Sequence, residues 1–320
     1  MENLTQEELE YRRYLKKRIR QRKRRRKVLI TRAVMAVVLT VIVILITLLI
    51  RFAVTNIVGG MSDKKDKNGK AATETTAPTK KPEIIIPEGY NGIYNQLTML
   101  SDTYPEVNDI LMNLSQYPIN ILEMFINNQE TLSFVVNYPK HKNDTASLGE
   151  VTQEEVSNGI PLFNQWDERW GYVKYGNDIL AISGCGPTCM SMVYSGLLKN
   201  TSMSPADMAE YCINNNYYSQ DSGTAWAMML DGAIDLGLDA KKIGTSVASI
   251  REALKAKKPV ICSMAPGDFT EQGHFIVLVG IDRNGRIIVN DPNSKARSEK
   301  HWALKKIQKQ VKAAWSYSIS

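Results

Sequence analysis

The longest uninterrupted apolar stretch of the chain lies near its start, where no charged residue occurs between Ala33 and Ile50. At about 1.5 Å per residue, a helix of this length spans about 27 Å, close to the roughly 30 Å hydrocarbon core of a bilayer. The stretch has no polar face, which a buried helix of a soluble domain would show. A cleaved signal peptide would have a shorter apolar core and a small-residue cleavage site. With the apolar residues after Arg51, the pattern predicts a transmembrane helix over residues 33–58.

Basic residues are concentrated ahead of this stretch: residues 1–32 contain 13 of the 40 Lys and Arg residues and four of the 33 acidic ones. The positive-inside rule predicts that this tail is cytoplasmic and that everything after Val58 lies outside the membrane. Beside a spanning helix, such a tail favours contact with anionic lipids of the bilayer over nucleic acid. The remaining residues carry a slight acidic excess, which argues against a nucleic-acid-binding domain. The predicted location is therefore the cell membrane, as a single-pass protein.

Two segments of different texture follow the apolar stretch. Residues 59–88 are rich in Lys, Thr, Ala, Pro and Gly, so they cannot bury enough surface to fold and are predicted to form a flexible stalk. Residues 89–150 are predicted to be helical, as a small unit that docks on the main domain and carries no chemistry of its own. Its three short amphipathic helices are "PEVNDILMNL", "PINILEMFINN" and "ETLSFVVNY", the last ending before Pro139.

Residues 151–320 change to a mixed pattern, with helices first and strands afterwards. Helical periodicity and capping signals predict four helices, of which the second has Ser204 as its N-cap and the third ends at Gly237. Alternating or continuous apolar runs then predict strands at "PVICSM", "HFIVLVGI" and "RIIVND", the last two joined by "DRNG" as a hairpin. This order predicts an α+β domain with an antiparallel sheet.

Cys185 is the first candidate for chemistry, within "AISGCGPTCMSMVYSGLL". Gly184 and Gly186 permit a tight turn and close backbone approach, and Pro187 suits the first turn of a helix. A cysteine at a helix N-terminus is next to unsatisfied N–H groups and the positive end of the helix dipole, which favour a thiolate. The alternative is a structural cysteine, but glycines on both sides of a helix start favour a functional one.

The other three cysteines have a simpler interpretation. Cys189, Cys212 and Cys262 lie in apolar elements, where the default is a small buried hydrophobic side chain. All four cysteines lie in the part predicted to be outside the membrane, where disulfides could form. The spacing does not match a zinc site, because there is no CxxC pair and the chain has three histidines. No metal and no cofactor is predicted.

A thiolate nucleophile needs an imidazole partner and a residue that orients it. His141 and His301 lie in charged or polar connections, whereas His274 begins an apolar strand after a flexible loop, where it can face a cleft. A two-residue turn within "DRNG" would pair even-numbered residues of one strand with odd-numbered residues of the other. His274 would then share a face with Asp291, and Asn290 would point to the other face. Asp291 is therefore the predicted third residue, with capping of the turn before Pro292 as its alternative role.

The order Cys, His, Asp resembles that of papain-like cysteine peptidases, and the sequence is closer to the bacteriocin-processing, double-glycine-leader peptidase-like family. The resemblance covers roughly residues 155–320 and implies a papain-like fold and Cys-His-Asp thiol chemistry. It also implies a glutamine before the cysteine as oxyanion donor, a position that Gln165 fills. Gln165 lies 20 residues before Cys185, farther than in papain-type enzymes, and Gln153 is a poorer alternative. The resemblance is carried by "IPLFNQWDERWG", "AISGCGPTCMSMVYSGLL", "SGTAWAMM", "GHFIVLVGI" and "VNDPNS".

The most direct hypothesis is a membrane-anchored thiol peptidase or amidase that acts on a peptide or protein outside the membrane, including a cell-wall peptide. The 320 residues contain no transporter or ATPase segment, so a double-glycine leader is not indicated as the substrate. Two alternatives stay open. One is an inactive peptide-binding module of the same fold, and the other is an enzyme that transfers the acyl group to an amine instead of water.

Overall fold

The computed structural model describes residues 84–220 and 223–319. The predicted tail, the predicted transmembrane helix and nearly all of the predicted stalk lie outside the described residues. Among the residues described, none of the helices has both the length and the apolar composition that crossing a bilayer requires.

Short helices fill the first part of the described chain, here called the helical segment (residues 91–141). Two differences from the predicted helices concern its ends. The segment begins with a separate helix, Asn91–Leu100, and the last helix continues through Pro139 to His141 because a proline near a C-terminus removes a single intrahelical hydrogen bond. The α-helices span Asn91–Leu100, Val107–Met112, Ile119–Asn127 and Leu132–His141, and 3₁₀ helices span Leu114–Gln116 and Gln129–Thr131.

The core of the helical segment is completed by side chains of the following domain. Its buried side chains, which include Leu122, Phe125 and Phe134, pack in one cluster with Trp166, Tyr172 and Ala181 of the following domain. The Phe134 and Tyr172 rings stack with centroids 4.2 Å apart. The segment is therefore docked on the part of the chain between Gln165 and Cys185.

The predicted helices of the main domain are present, with one change. The stretch "TAWAMMLDGAIDLG" forms a 3₁₀ helix and a short α-helix instead of one continuous helix, and Gly237 follows with a positive φ of 85°. The helix that begins at Pro205 has Ser204 as its N-cap, in a capping box with Asp207. The helices span Gln153–Ser157, Leu180–Ser183, Cys185–Leu198, Pro205–Asn214, Trp226–Met229 (3₁₀), Asp231–Asp235, Val247–Lys255, Lys295–Glu299 and Leu304–Gln308.

An antiparallel sheet in the order β5-β9-β6-β7-β8 organises the domain. The helix Cys185–Leu198, here called the cysteine helix, packs on one side in a cluster that includes Ile261, Phe275 and Trp315. The helix Val247–Lys255 packs in a second cluster with Ile276 and Leu278. The strands are β1 Lys174–Tyr175, β2 Asp178–Ile179, β3 Tyr218–Ser219, β4 Gly223–Thr224, β5 Asp239–Ile243, β6 Val260–Met264, β7 His274–Ile281, β8 Ile287–Asn290 and β9 Val311–Ser318.

The turn between β7 and β8 differs from the predicted two-residue turn. Ile281 is opposite Ile287, and the Asp282 N–H donates to the Arg286 carbonyl at 2.8 Å, so three residues form the loop. Gly285 adopts a φ of 73° there, as the last residue of a three-residue hairpin loop commonly does. By itself, this turn would pair even-numbered residues of β7 with even-numbered residues of β8, whereas the prediction paired even with odd.

A register shift between Leu278 and Gly280 reverses that effect. Beyond it, Leu278 is opposite Val289, and both belong to the same buried cluster. Because side chains alternate along a strand, His274 and Asp291 come to one face, as the hairpin argument predicted. The prediction reached the right face although it missed both the longer loop and the bulge.

Candidate active site

Cys185 is the first residue of the cysteine helix, and Gly184 precedes it as N-cap without a capping side chain. The Cys185 side chain is partly exposed. The first N–H groups of a helix have no partner inside it, so those of Cys185 and Gly186 are available to an anion. A Cβ on Gly186 would come within 2.4 Å of the Thr224 Oγ1, which explains why a glycine follows the cysteine.

His274 begins β7, and its side chain is 7% exposed. Its Nε2 lies 2.7 Å from Oδ1 of Asp291. Cys185 also acts on this ring, since its side chain is among the groups that raise the pKa of His274. Because Nε2 is hydrogen-bonded to the Asp291 carboxylate, Nδ1 is the ring nitrogen that remains to interact with the Cys185 sulfur. The imidazole therefore lies between a thiol and a carboxylate.

Opposing effects set the charge of His274. Burial by itself would lower the pKa, because it disfavours the imidazolium. The charge and hydrogen bond of Asp291 act the other way, as does Cys185, and the pKa is raised to about 10. The ring is therefore protonated at neutral pH.

Asp291 is fully buried and accepts hydrogen bonds from several directions. Its Oδ1 also accepts from the Asn293 N–H at 2.8 Å, and its Oδ2 accepts from Nε of Arg297 at 2.5 Å. Burial alone would raise the pKa of this carboxyl, but His274 and Arg297 hold it below its usual value. Asn290 points away and donates to the Pro161 carbonyl at 2.8 Å.

Arg297 was not predicted from the sequence. It lies in the short helix Lys295–Glu299, among other charged residues of "SKARSEK", and nothing in the local pattern distinguishes it. Only the contact with Asp291 reveals a role in the site. The contact is in keeping with the burial of Asp291, because a buried carboxylate needs a cation or several donors nearby.

Gln165 is brought close to Cys185 because the intervening loop folds back. Its amide nitrogen donates to the carbonyl of Ala181 at 2.7 Å and makes a longer contact of 3.4 Å with that of Ile182. Both carbonyls belong to the helix Leu180–Ser183, immediately before Cys185. Its backbone N–H donates to the Pro292 carbonyl at 2.7 Å, which also ties it to the residue after Asp291. The alternative, Gln153, is exposed at the start of a different helix.

The remaining cysteines and histidines are separate from this group. Cys189, Cys212 and Cys262 are buried and unpaired, and burial raises the pKa of each thiol. His301 contacts Asp282 in the hairpin turn at 2.6 Å. His141, predicted to lie in a charged connection, is the last residue of the helix Leu132–His141 and stacks on the Tyr172 ring with centroids 4.9 Å apart. Across residues 84–220 and 223–319, no cluster of acidic, histidine or cysteine side chains is arranged to hold a metal ion.

The sequence model described as "Peptidase_C39 like family" matches residues 157–319. The chain belongs to the peptidase C39-like family. The match supports a papain-like cysteine peptidase-like domain and includes Gln165, Cys185, His274 and Asp291. No curated protein matches the chain. The helical segment lies outside the family match.

Proposed function

We propose that this protein is a thiol peptidase or amidase in which Cys185, His274 and Asp291 act as a catalytic triad. The observation that carries the proposal is the 2.7 Å contact between Nε2 of His274 and Oδ1 of Asp291, on a ring whose pKa the Cys185 side chain helps to raise. A buried imidazole with a carboxylate on one nitrogen and a partly exposed thiol beside the other suits nucleophilic catalysis. Membership of a peptidase-like family agrees with this chemistry.

The reaction follows from these contacts. The Cys185 thiolate attacks the carbonyl carbon of an amide and forms a C–S bond. His274 then gives its proton to the leaving nitrogen as the C–N bond breaks, which leaves a thioester and a free amine. Water attacks the thioester and gives a proton to His274, and the C–S bond breaks. The acid product leaves, and the thiolate and imidazolium are restored.

Gln165 is proposed as an oxyanion donor together with the Cys185 N–H. Its amide nitrogen lies 2.7 Å from the Ala181 carbonyl oxygen and 3.4 Å from that of Ile182. The amide group therefore lies beside the residues that lead into Cys185, from where it is proposed to donate to a substrate oxygen. Gln165→Ala is expected to lower kcat by about 10²–10³-fold with little change in substrate binding, measured by steady-state kinetics.

The proposed setting is a single-pass membrane protein with its peptidase domain outside the cell. This part rests on the apolar stretch 33–50 and the basic residues before it. The substrate would then be a surface protein, a secreted peptide or a cell-wall peptide. Protease added to intact cells is expected to digest the domain after Ile160 and to leave the basic tail intact. Protection of the domain and digestion of the tail would reverse the orientation.

A peptide-like electrophilic probe tests the thiol chemistry on the full chain. Wild type and Cys189→Ser are expected to be labelled, because Cys189 is buried one turn along the same helix, whereas Cys185→Ser and His274→Ala are not. Mass spectrometry of products from a peptide library then separates the alternatives. Free acids indicate hydrolysis, and new amides indicate acyl transfer. A binding module would instead keep the peptides bound and uncleaved, and the probe would label Cys185→Ser as strongly as wild type.

A further inference from the structure

The helical segment contacts the main domain at one place that bears directly on the site. Glu130 lies in the 3₁₀ helix Gln129–Thr131, and its carboxylate accepts hydrogen bonds from the Ser294 hydroxyl and from the Lys295 N–H at 2.7 Å. A longer bond comes from the Ala296 N–H at 3.3 Å. Asn128 adds a bond from its side-chain nitrogen to the Asn293 carbonyl at 2.7 Å.

These bonds fix the start of the helix Lys295–Glu299. The N–H groups of a first helical turn have no partner within the helix, and a carboxylate is favourable at that end. Ser294, the N-cap residue, accepts from the Arg297 N–H at 3.1 Å while it donates to Glu130. Glu130 thus supplies acceptors that residues 157–319 do not supply at this place.

The helix held by Glu130 in turn holds Asp291 at two points. Arg297 donates through Nε to Oδ2 of the carboxylate at 2.5 Å, and the Ser298 hydroxyl accepts from the Asp291 backbone N–H at 2.9 Å. The other carboxylate oxygen, Oδ1, lies 2.7 Å from Nε2 of His274. A movement of this helix would therefore move or release the carboxylate, and with it the imidazole.

We propose that Glu130 is a positioning residue for the Asp291–His274 pair and acts through the helix Lys295–Glu299 and Arg297. The inference rests on the proposed function, and it assigns to the helical segment a role that the sequence did not indicate. The segment completes the triad from outside the family match, across 165 residues of chain. Glu130 does not touch the reacting atoms, so it aligns the groups that do.

The chain offers a matched control for simple docking. Glu168 joins the same two parts of the protein, since it accepts from Ser133 and Asn137 of the helical segment. Like Glu130 it is a partly buried carboxylate, but none of its bonds reaches the loop after Asp291. If Glu130 only fastened the segment, loss of either carboxylate would have the same consequences.

The test uses the full chain with Glu130→Ala, Glu130→Gln, Glu168→Ala and Arg297→Ala, beside wild type. Two measurements report on the alignment of the Asp291–His274 pair. They are the low-field NMR resonance of the His274 proton shared with Asp291 and the rate of Cys185 alkylation by iodoacetamide. Thermal unfolding reports docking. Glu130→Ala is expected to shift or broaden the resonance and to slow alkylation by about 10-fold or more, since small misplacements at a reacting centre are costly. Glu168→Ala is expected to lower only the unfolding temperature.

Two further comparisons test whether Glu130 acts through its carboxylate acceptor and through Arg297. Glu130→Gln keeps an acceptor oxygen and is expected to recover most of the alkylation rate. Glu130→Ala combined with Arg297→Ala is expected to be no slower than Arg297→Ala alone, because both act through one contact. The proposal is overturned if Glu130→Ala leaves the resonance unchanged, or if Glu168→Ala changes it equally. If wild-type Cys185 reacts no faster than it does in His274→Ala, the proposed function fails, and the resonance alone still decides whether Glu130 positions the pair.

Discussion

Asp291 lies between two cationic side chains, and this placement sets the expected pH dependence of the reaction. Burial would lower the pKa of His274, but the charge and hydrogen bond of Asp291, aided by Cys185, raise it. The imidazolium needed to protonate the leaving group therefore persists to alkaline pH. Asp291→Asn removes the charge, so the pKa falls and the alkaline limb of the kcat/KM profile is expected to move to lower pH. An unchanged limb would mean that another group sets it.

Asn290 and Asp291 are adjacent but have different surroundings, which gives a paired prediction. Asn290 is nearly buried and donates to the carbonyls of Ile160 and Pro161. Asn290→Ala is expected to lower the free energy of unfolding by about 1–3 kcal/mol, because buried acceptors lose their donor. Its effect on kcat is expected to be small, whereas Asp291→Ala is expected to be severe in kcat. Denaturant unfolding and kinetics on both variants check this, and the reverse pattern would make Asn290 the orienting residue.

The residues of the proposed site that could be predicted from the sequence are those with a local signature. Cys185 was marked by its glycines and helix start, and His274 by its place before an apolar strand. Arg297 and Glu130 could not be identified in this way, because their roles arise from contacts that only the folded chain creates. Glu130 reaches residues 165 positions away, and no periodicity encodes such a contact.

At the scale of elements, the predicted helices and the three predicted strands are present, but two strands of the sheet were missed. β5 is an edge strand with the sequence "DAKKI", whose two lysines are exposed, so it lacks an apolar pattern. β9 lies between β5 and β6, and Lys312, Ser316 and Ser318 interrupt its apolar residues, so it has no continuous apolar run. Strands are recognised in a sequence by alternation of apolar and polar residues or by a continuous apolar run, and neither strand has either pattern.

The junction of the cysteine helix with β4 gives a prediction at this scale. A Cβ at position 186 would lie 2.4 Å from Oγ1 and 2.6 Å from Cβ of Thr224, whose hydroxyl is paired with Tyr175. Gly186→Ala is therefore expected to destabilise the fold by about 1–3 kcal/mol through overpacking. Gly92→Ala is the control, since a Cβ there meets nothing within 4 Å and alanine favours a helix by about 0.5–1 kcal/mol. Chemical denaturation measures both, and equal effects would contradict the packing argument.

At the scale of the whole described molecule, the helical segment and the main domain share one buried cluster. Phe134 of the segment stacks on Tyr172 of the domain, and the Tyr172 hydroxyl donates to the Phe134 carbonyl at 3.0 Å. Trp166, the neighbour of Gln165, lies in the same cluster and donates to the Asn293 carbonyl at 3.2 Å. Separation of the segment would therefore expose apolar surface on the domain and leave the loops beside Gln165 and Asp291 without support.

The two parts are accordingly expected to unfold in a single transition, and Phe134→Ala tests this. Loss of a buried phenylalanine ring costs about 3–5 kcal/mol, and this loss is expected to appear equally in probes of either part. Hydrogen exchange of amides in Ile119–Asn127 and in β6 supplies those two probes. Met99→Ala is the control: its side chain is 80% exposed on the same segment, and a change within about 0.5 kcal/mol is expected. If Phe134→Ala speeds hydrogen exchange in the helices while β6 stays protected, the helical segment folds as a separate unit. If Cys185 is then alkylated at the wild-type rate, the site does not need the helical segment.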